Sequence, residues 1–285
     1  MKERLGPYAY RGGRYDERPV LARFCFGSHF FRFDCARSGA ANLERGRGTY
    51  KTKPSDYRKS CRVSKPGVLQ IEFGYDGNFR SDEFRSQQTL PLTVRYAPVE
   101  QLLLDVNVDT LIFEKDEMGI SERGVGDTRI GLQLLALKDT EEQSALAFAY
   151  YIKLPTASAE KNLGTGRTDH RFVALVSKKF GETDVDFNAA YLNVGREFGD
   201  GRVSGGQAAL SVSHQFKNNL GVTGEIAGQS EDDVQPKGVL ALVAITYKVN
   251  KRLQFDAGTR FGLSSRAPRV GVFAGFTVGV GNPFK

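Results

Sequence analysis

The chain has 285 residues, 40% of them apolar and 26% charged, and a formal net charge of +7. Its longest uninterrupted apolar run, 145–152, is far below the roughly 18 residues that a membrane-crossing helix needs, so no helical span is encoded. The positive charge belongs to one end: residues 1–66 hold 16 Lys and Arg against 6 Asp and Glu, while residues 67–285 hold 24 against 27. That distribution argues against nucleic-acid binding, which needs a basic patch on a folded surface.

Residues 1–66 read as a basic, disordered head. All three cysteines, Cys25, Cys35 and Cys61, lie there, in a spacing that fits no zinc site and with no histidine at ligand distance in sequence. An exported protein carries a leader with an apolar run of about 7 to 15 residues. The nearest match, 20–33, is broken by Arg23, His29 and Arg32. The head is therefore expected to be a leader remnant, a mis-assigned start or a partial plug of the domain that follows. The plain alternative is a cytosolic tail, which would count against export.

From residue 67 to the end, the chain divides into twelve segments of alternating apolar and polar residues: 67–79, 88–97, 101–113, 126–137, 143–153, 169–180, 183–194, 205–216, 219–229, 237–249, 251–262 and 268–280. Their connections alternate strictly between long and short. The short ones carry turn residues, as in Ala97-Pro98-Val99-Glu100, Gly181-Glu182, Lys217-Asn218-Asn219 and Asn250-Lys251. The long ones are rich in Gly, Ser, Thr and charge. Long loops on one face and tight turns on the other are the pattern of a transmembrane antiparallel up-and-down β-barrel, here all-β with twelve strands, and an even count puts both ends on the tight-turn side.

Alternation is explicit within segments. Leu69, Ile71, Phe73 and Tyr75 oppose Gln70, Glu72, Gly74 and Asp76; Leu253, Phe255, Ala257 and Phe261 oppose Gln254, Asp256, Gly258 and Arg260. A soluble β-sandwich or lipocalin-like binding protein would use the same pattern to build a core. Segment length favours the membrane, since strands of 9 to 13 residues match a tilted crossing. So do Tyr96, Phe180, Phe216 and Tyr247, each within three residues of a tight turn, where an interfacial aromatic girdle falls.

On this reading, the candidate lumen-lining residues are Glu72, Arg95, Asp105, Asp109, Asp127 and Arg129 in the first half, and Asp184, Asp186, Glu225, Asp256 and Arg260 in the second. They would either filter polar solutes or pair across a narrow barrel and close it. Two stretches, 145–152 and 239–247, are apolar on both faces. In the first, small side chains such as Ala145, Ala147 and Ala149 are expected to point inward; the second has no such explanation, so something apolar is expected to touch it from inside: a greasy ligand, or the head.

No catalytic, metal or cofactor motif stands out. A lipid-modifying barrel enzyme would need a histidine beside a serine. His214 alternates onto the face opposite Ser211 and Ser213, and His170 reads as a loop-anchoring residue at a strand mouth.

Three further stretches carry a resemblance: Gly124-Val125-Gly126-Asp127, Lys153-Leu154-Pro155-Thr156, and Leu163-Gly164-Thr165-Gly166 followed by Asp169. Together they resemble the outer-membrane family named for the MetA-pathway of phenol degradation, over roughly residue 67 to the C-terminus. Ala157 stands where that family often has Gly. The resemblance implies a porin-like barrel in a Gram-negative outer membrane, surrounded by lipid and passing small aromatic or hydrophobic solutes. The terminal stretch from Val278 to Phe284 is similar to the aromatic-ended last strand that barrel-assembly machinery reads, which makes that machinery an expected partner. The motif residues themselves look architectural: glycines at corners, Pro155 ending a ladder, and Asp127 or Asp169 holding a loop.

Overall fold

A computed structural model describes residues 60, 61, 66–81, 84–158, 160, 161, 163–196, 201–230 and 238–280. Expectations for residues 1–59 and for the last five residues lie outside these. Among the described residues, regular structure is entirely β. The strands are β1 (Leu69–Phe79), β2 (Phe84–Val99), β3 (Leu102–Asp116), β4 (Ser121–Gly124), β5 (Thr128–Leu137), β6 (Ala145–Leu154) and β7 (Asp169–Phe180). They continue as β8 (Thr183–Gly195), β9 (Arg202–Gln215), β10 (Leu220–Gln229), β11 (Gly238–Lys248), β12 (Leu253–Gly262) and β13 (Val270–Val280).

Every pairing is antiparallel between neighbours in the chain, except at two places. At the first, β1 pairs with β13, from Leu69 opposite Val280 to Phe79 opposite Val270, which joins the ends of the sheet. At the second, β3 pairs with β5 along its first half and with the short β4 at its far end. Twelve strands thus close a barrel and β4 stands outside the ring. The sequence reading of twelve strands holds, with two differences. The β2–β3 ladder extends past the expected ends, from Phe84 opposite Asp116, and the loop after β3 folds back as the hairpin strand β4. Pro91, within β2, is accommodated by a register shift between Leu90 and Pro91, where its missing N–H interrupts the ladder.

Turn chemistry accounts for the tight side. Gly181 and Asn219 take positive φ, at 58° and 65°, in the β7–β8 and β9–β10 turns. The Asn250 side chain accepts hydrogen bonds from the backbone of Arg252 and Leu253 at 2.8 and 3.0 Å, which sets the β11–β12 turn.

The two faces of the wall differ as membrane insertion requires. Leu134, Phe148, Val243 and Ile245 lie on the outside, each about half exposed at 50–52%, with similar side chains on every neighbouring strand. In a sandwich they would interleave with a second sheet; here there is none, and the two-sheet alternative falls. The inner face buries Asp76, Asp105, Asn107, Asp186, Asn188 and Arg260. A closed ladder facing hydrocarbon leaves no backbone group without a partner along the wall. Phe180, Phe216 and Tyr247 are exposed outside the tight-turn rim. Near the loop rim Tyr150 packs on Phe172 with centroids 4.9 Å apart and its hydroxyl meets His170 Nδ1 at 2.7 Å. Rings at both rims form the interfacial girdles of a membrane barrel.

Two large inward side chains require glycine opposite them. A Cβ on Gly131 would lie 2.1 Å from the Tyr151 ring, and one on Gly258 would lie 2.5 Å from that of Phe273. Glycine on the facing strand is what lets each ring lie flat against the wall.

Candidate functional site

The interior contains a cavity of about 390 Å³. Its wall carries Glu72 on β1, Arg95 on β2, Asp105 on β3, Glu225 on β10 and Asp256 on β12, with Tyr151, Leu103, Leu242, Ala244 and Phe273 between them. Arg95 bridges two of the acids: its Nη1 pairs with Glu72, and its Nε donates to Asp105 Oδ2 at 3.0 Å. Arg260, higher on the same wall, donates to Asp76 Oδ2 at 2.6 Å and Asn78 Oδ1 at 3.1 Å, and its guanidinium lies 5.3 Å from the Phe273 ring centre. Acids therefore outnumber cations along the cavity, with Arg95 the one Lys or Arg among its described lining residues.

The remaining candidates are placed differently. Arg129 borders a second, much smaller void of about 20 Å³ with Asp105, Lys153, Asp169 and Arg171. Asp186 is buried and accepts a hydrogen bond from Ser177 Oγ at 2.6 Å. Asp109 is buried behind Gly126, whose N–H donates to the Asp109 carbonyl at 2.8 Å. Asp184, half-buried near the tight-turn end of β8, borders neither void.

Asp127 belongs to a knot at the loop-side mouth, where the three family-like stretches converge. Lys153 Nζ lies 3.0 Å from Asp127 Oδ2 and 2.7 Å from Asp169 Oδ2, and donates to Thr165 Oγ1 at 2.7 Å. Asp127 Oδ1 accepts from the N–H of Ala157 at 3.0 Å, and Asp169 Oδ1 from that of Gly195 at 2.9 Å. Thr156 Oγ1 accepts from Thr128 N–H at 2.8 Å and donates to the Gly126 carbonyl at 3.1 Å. Gly164 has to be glycine, because a Cβ there would come within 2.8 Å of the Asp127 carboxylate. One buried lysine and two carboxylates thus tie the start of β5, the end of β6, the β6–β7 loop and the β7–β8 pair together.

A third feature lies on the opposite, tight-turn side. Cys61 is fully buried against Ala145, Ala147, Ala149, Tyr151, Val173, Leu175 and Ala190 on the inner faces of β6, β7 and β8. Its N–H donates to Ser177 Oγ at 2.9 Å, and its Sγ lies 3.2 Å from the Leu175 carbonyl. Gln133 Nε2 donates to the Ser60 carbonyl at 3.1 Å. Burial pushes the Cys61 thiol up, so it stays protonated and acts as a small apolar group with a weak donor.

Sequence reading passed over Lys153, Arg171 and Phe273 as lumenal groups, and put Asp76 on the polar face without counting it as a candidate. Alternation alone would have found Lys153, two residues beyond Tyr151 and four beyond Ala149. Among the described residues, no serine–histidine pair has hydrolase geometry. His214 points outward, its Nδ1 2.9 Å from the Thr183 hydroxyl and its ring against Phe216, whereas Ser211 is buried inside. Among the described residues, no group of three or more His, Cys, Asp or Glu is placed to hold a metal ion.

Closed topology, an apolar outer band and aromatic rims define this protein as an outer-membrane β-barrel of a Gram-negative bacterium. The chain belongs to the family described as "Putative MetA-pathway of phenol degradation", whose model matches residues 95–279. Among solved structures it is similar to an outer-membrane channel from Pseudomonas putida F1, with 14% identity and a TM-score of 0.59 over 81% of this chain and 100% of that one. It is also similar to the KdgM porin, with 10% identity and a TM-score of 0.50 over 73% and 98%. An Escherichia coli outer-membrane phospholipase A aligns at 10% identity over 74% and 92%, but at a TM-score of 0.43 that likeness carries no argument. No curated protein matches the chain.

Proposed function

We propose that this barrel is a passive channel or facilitated transporter for small solutes, aromatic or hydrophobic ones among them. The observation that carries this reading is the cavity of about 390 Å³ inside the closed wall, where charged groups alternate with Tyr151, Leu103, Leu242 and Phe273. Such a wall can hold a ring by its apolar faces while satisfying one or two polar substituents, which is how small-molecule sites are commonly built. The acidic balance of the lining favours neutral and cationic species over anions. The likeness in fold to two channel-forming barrels supports the same reading.

The test is reconstitution of the purified chain in planar bilayers. The double variant Glu225→Gln, Asp256→Asn should lower the cation-to-anion permeability ratio by about twofold or more, because both carboxylates face the path. An unchanged ratio would remove the cavity from the conduction path. The paired groups Glu72–Arg95–Asp105 and Asp76–Arg260 favour a second reading, in which the lumenal charges only tie a narrow barrel shut. That reading predicts a folded barrel without conductance.

A further inference from the structure

The tight-turn rim is unevenly charged. On one side, the β9–β10 turn, the end of β11 and the turn after it carry Lys217, Lys248, Lys251 and Arg252, all exposed, and neither 214–220 nor 247–255 contains an acid. The two turns are neighbours. The Lys248 N–H donates to the Asn219 carbonyl at 3.0 Å, and the Arg252 carbonyl accepts from the Gly279 N–H at 2.7 Å, which continues the arc to β13. Asparagines fix both turns: Asn218 Oδ1 accepts from the Leu220 N–H at 3.3 Å, and Asn250 Oδ1 from those of Arg252 and Leu253. On the other side, the β5–β6 turn carries Asp139, Glu141 and Glu142, and the lysines beside it are engaged: Lys138 with Glu100, and Lys178 with Asp139 and with the Gln143 carbonyl at 3.2 Å. Among the described residues, none of the four cations of the arc is in an ion pair, and Glu182, exposed in the β7–β8 turn, pairs with none of them.

We propose that this arc is a docking site for anionic phospholipid in the periplasmic leaflet, with the four cations on the headgroup phosphates and the adjoining outer wall against the acyl chains. The tight turns of an outer-membrane barrel lie on the periplasmic side, where the leaflet is phospholipid. Phe216 and Tyr247 adjoin Lys217 and Lys248 in sequence, and Phe255 lies opposite Tyr247 in register; the three rings are exposed on the outer face at 45–50%. Cations at the rim and rings beside them match a molecule whose charge and apolar tails are joined, as in a phospholipid. A soluble phosphate or an acidic protein would leave the rings unused. One exposed cation attracts weakly and is screened by salt. Four on two adjacent, asparagine-locked turns, with no acid among them, act together on the same headgroups. Phosphatidylglycerol, which carries a net negative charge, is therefore preferred to zwitterionic phosphatidylethanolamine. The inference rests on the barrel's place in the membrane and stands whether or not the lumen conducts.

The test places the full chain in bilayer nanodiscs of phosphatidylethanolamine with phosphatidylglycerol as the minor lipid, transfers it to neutral detergent, and counts the retained lipids by native mass spectrometry. Wild type should retain phosphatidylglycerol over phosphatidylethanolamine by at least about threefold relative to their ratio in the bilayer. The variant Lys217→Gln, Lys248→Gln, Lys251→Gln, Arg252→Gln should lose that preference. Lys138→Gln, Lys178→Gln, Lys179→Gln, which removes three cations from the other side of the rim, should keep it. Folding of each is checked by heat-modifiable migration, and the milder pair Lys217→Gln, Lys251→Gln, which should lose part of the preference, serves if the fourfold variant does not fold. Glycerol phosphate, a headgroup without tails, should displace no more lipid than chloride at the same ionic strength. An undiminished preference in the folded arc variants, or an equal loss in the control variant, would overturn the proposal. Displacement by glycerol phosphate beyond that by chloride would assign the arc to soluble phosphates and overturn it as a lipid site.

Discussion

The two mouths of this barrel are held by opposite means. At the loop side, Lys153 and Asp169, each 4% exposed, form an ionic knot with Asp127 and with backbone N–H groups. At the tight-turn side, the Glu100–Lys138 pair is exposed, and the Asp139–Lys178 pair, at 3.4 Å, is only partly covered. What penetrates the interior there is the nearly apolar anchor of Cys61. Buried pairs resist loss of one partner, because the remaining charge is stranded, whereas exposed pairs contribute little. The loop mouth is thus held by buried charges, and the tight-turn mouth by more accessible ones together with an almost apolar contact.

Breaking the knot should have the largest effect. Lys153→Ala leaves two carboxylates without their cation and should destabilise the barrel by about 3–5 kcal/mol, measured as the urea midpoint of refolding into detergent micelles. The triple variant Lys153→Met, Asp127→Asn, Asp169→Asn removes all three charges together and should recover most of that loss. A single variant as stable as wild type would mean the knot is hydrated and ordinary.

Packing inside the wall should come next. Gly131→Val drives a methyl into the Tyr151 ring and should cost about 1–3 kcal/mol by the same measurement, with relief when Tyr151→Ala is added. Additive losses would show that the ring has somewhere else to go.

The smallest effect belongs to the tight-turn rim. The hydrogen bond from Lys138, followed by its charge, holds the Glu100 carboxyl below its ordinary range. A depressed carboxyl contributes stability above its unfolded value and loses it as pH falls through its folded value. Wild type should therefore exceed Glu100→Gln in thermal midpoint only by a margin near the resolution of the method at neutral pH, and the margin should vanish in acid. A large difference at neutral pH would contradict the contrast between the mouths.

The periodic strands were legible because a membrane wall repeats the same instruction every two residues, and each tight turn names itself through Gly181, Asn219 or Asn250. Interior detail was less so. The stretch 145–152 reads as apolar on both faces, with its small alanines expected inward; the folded wall adds that Cys61 packs against them while Phe148 looks outward. The fit of Tyr151 over Gly131 and of Phe273 over Gly258 depends on register between strands, which no single segment records. Asp127 reads both as a lumenal candidate and, with Asp169, as holding a loop; it sits at the mouth, bound to Lys153 and to the Ala157 N–H, because it precedes β5. The outward position of His214 followed directly from period two.

The seam between β1 and β13 is the pairing with the greatest separation in sequence, from Leu69 to Val280. Contacts that distant form late, after the local hairpins. Until that seam zips, the sheet has two free edges, and Ser60 and Cys61 can reach the inner face of β6 and β7 from the side.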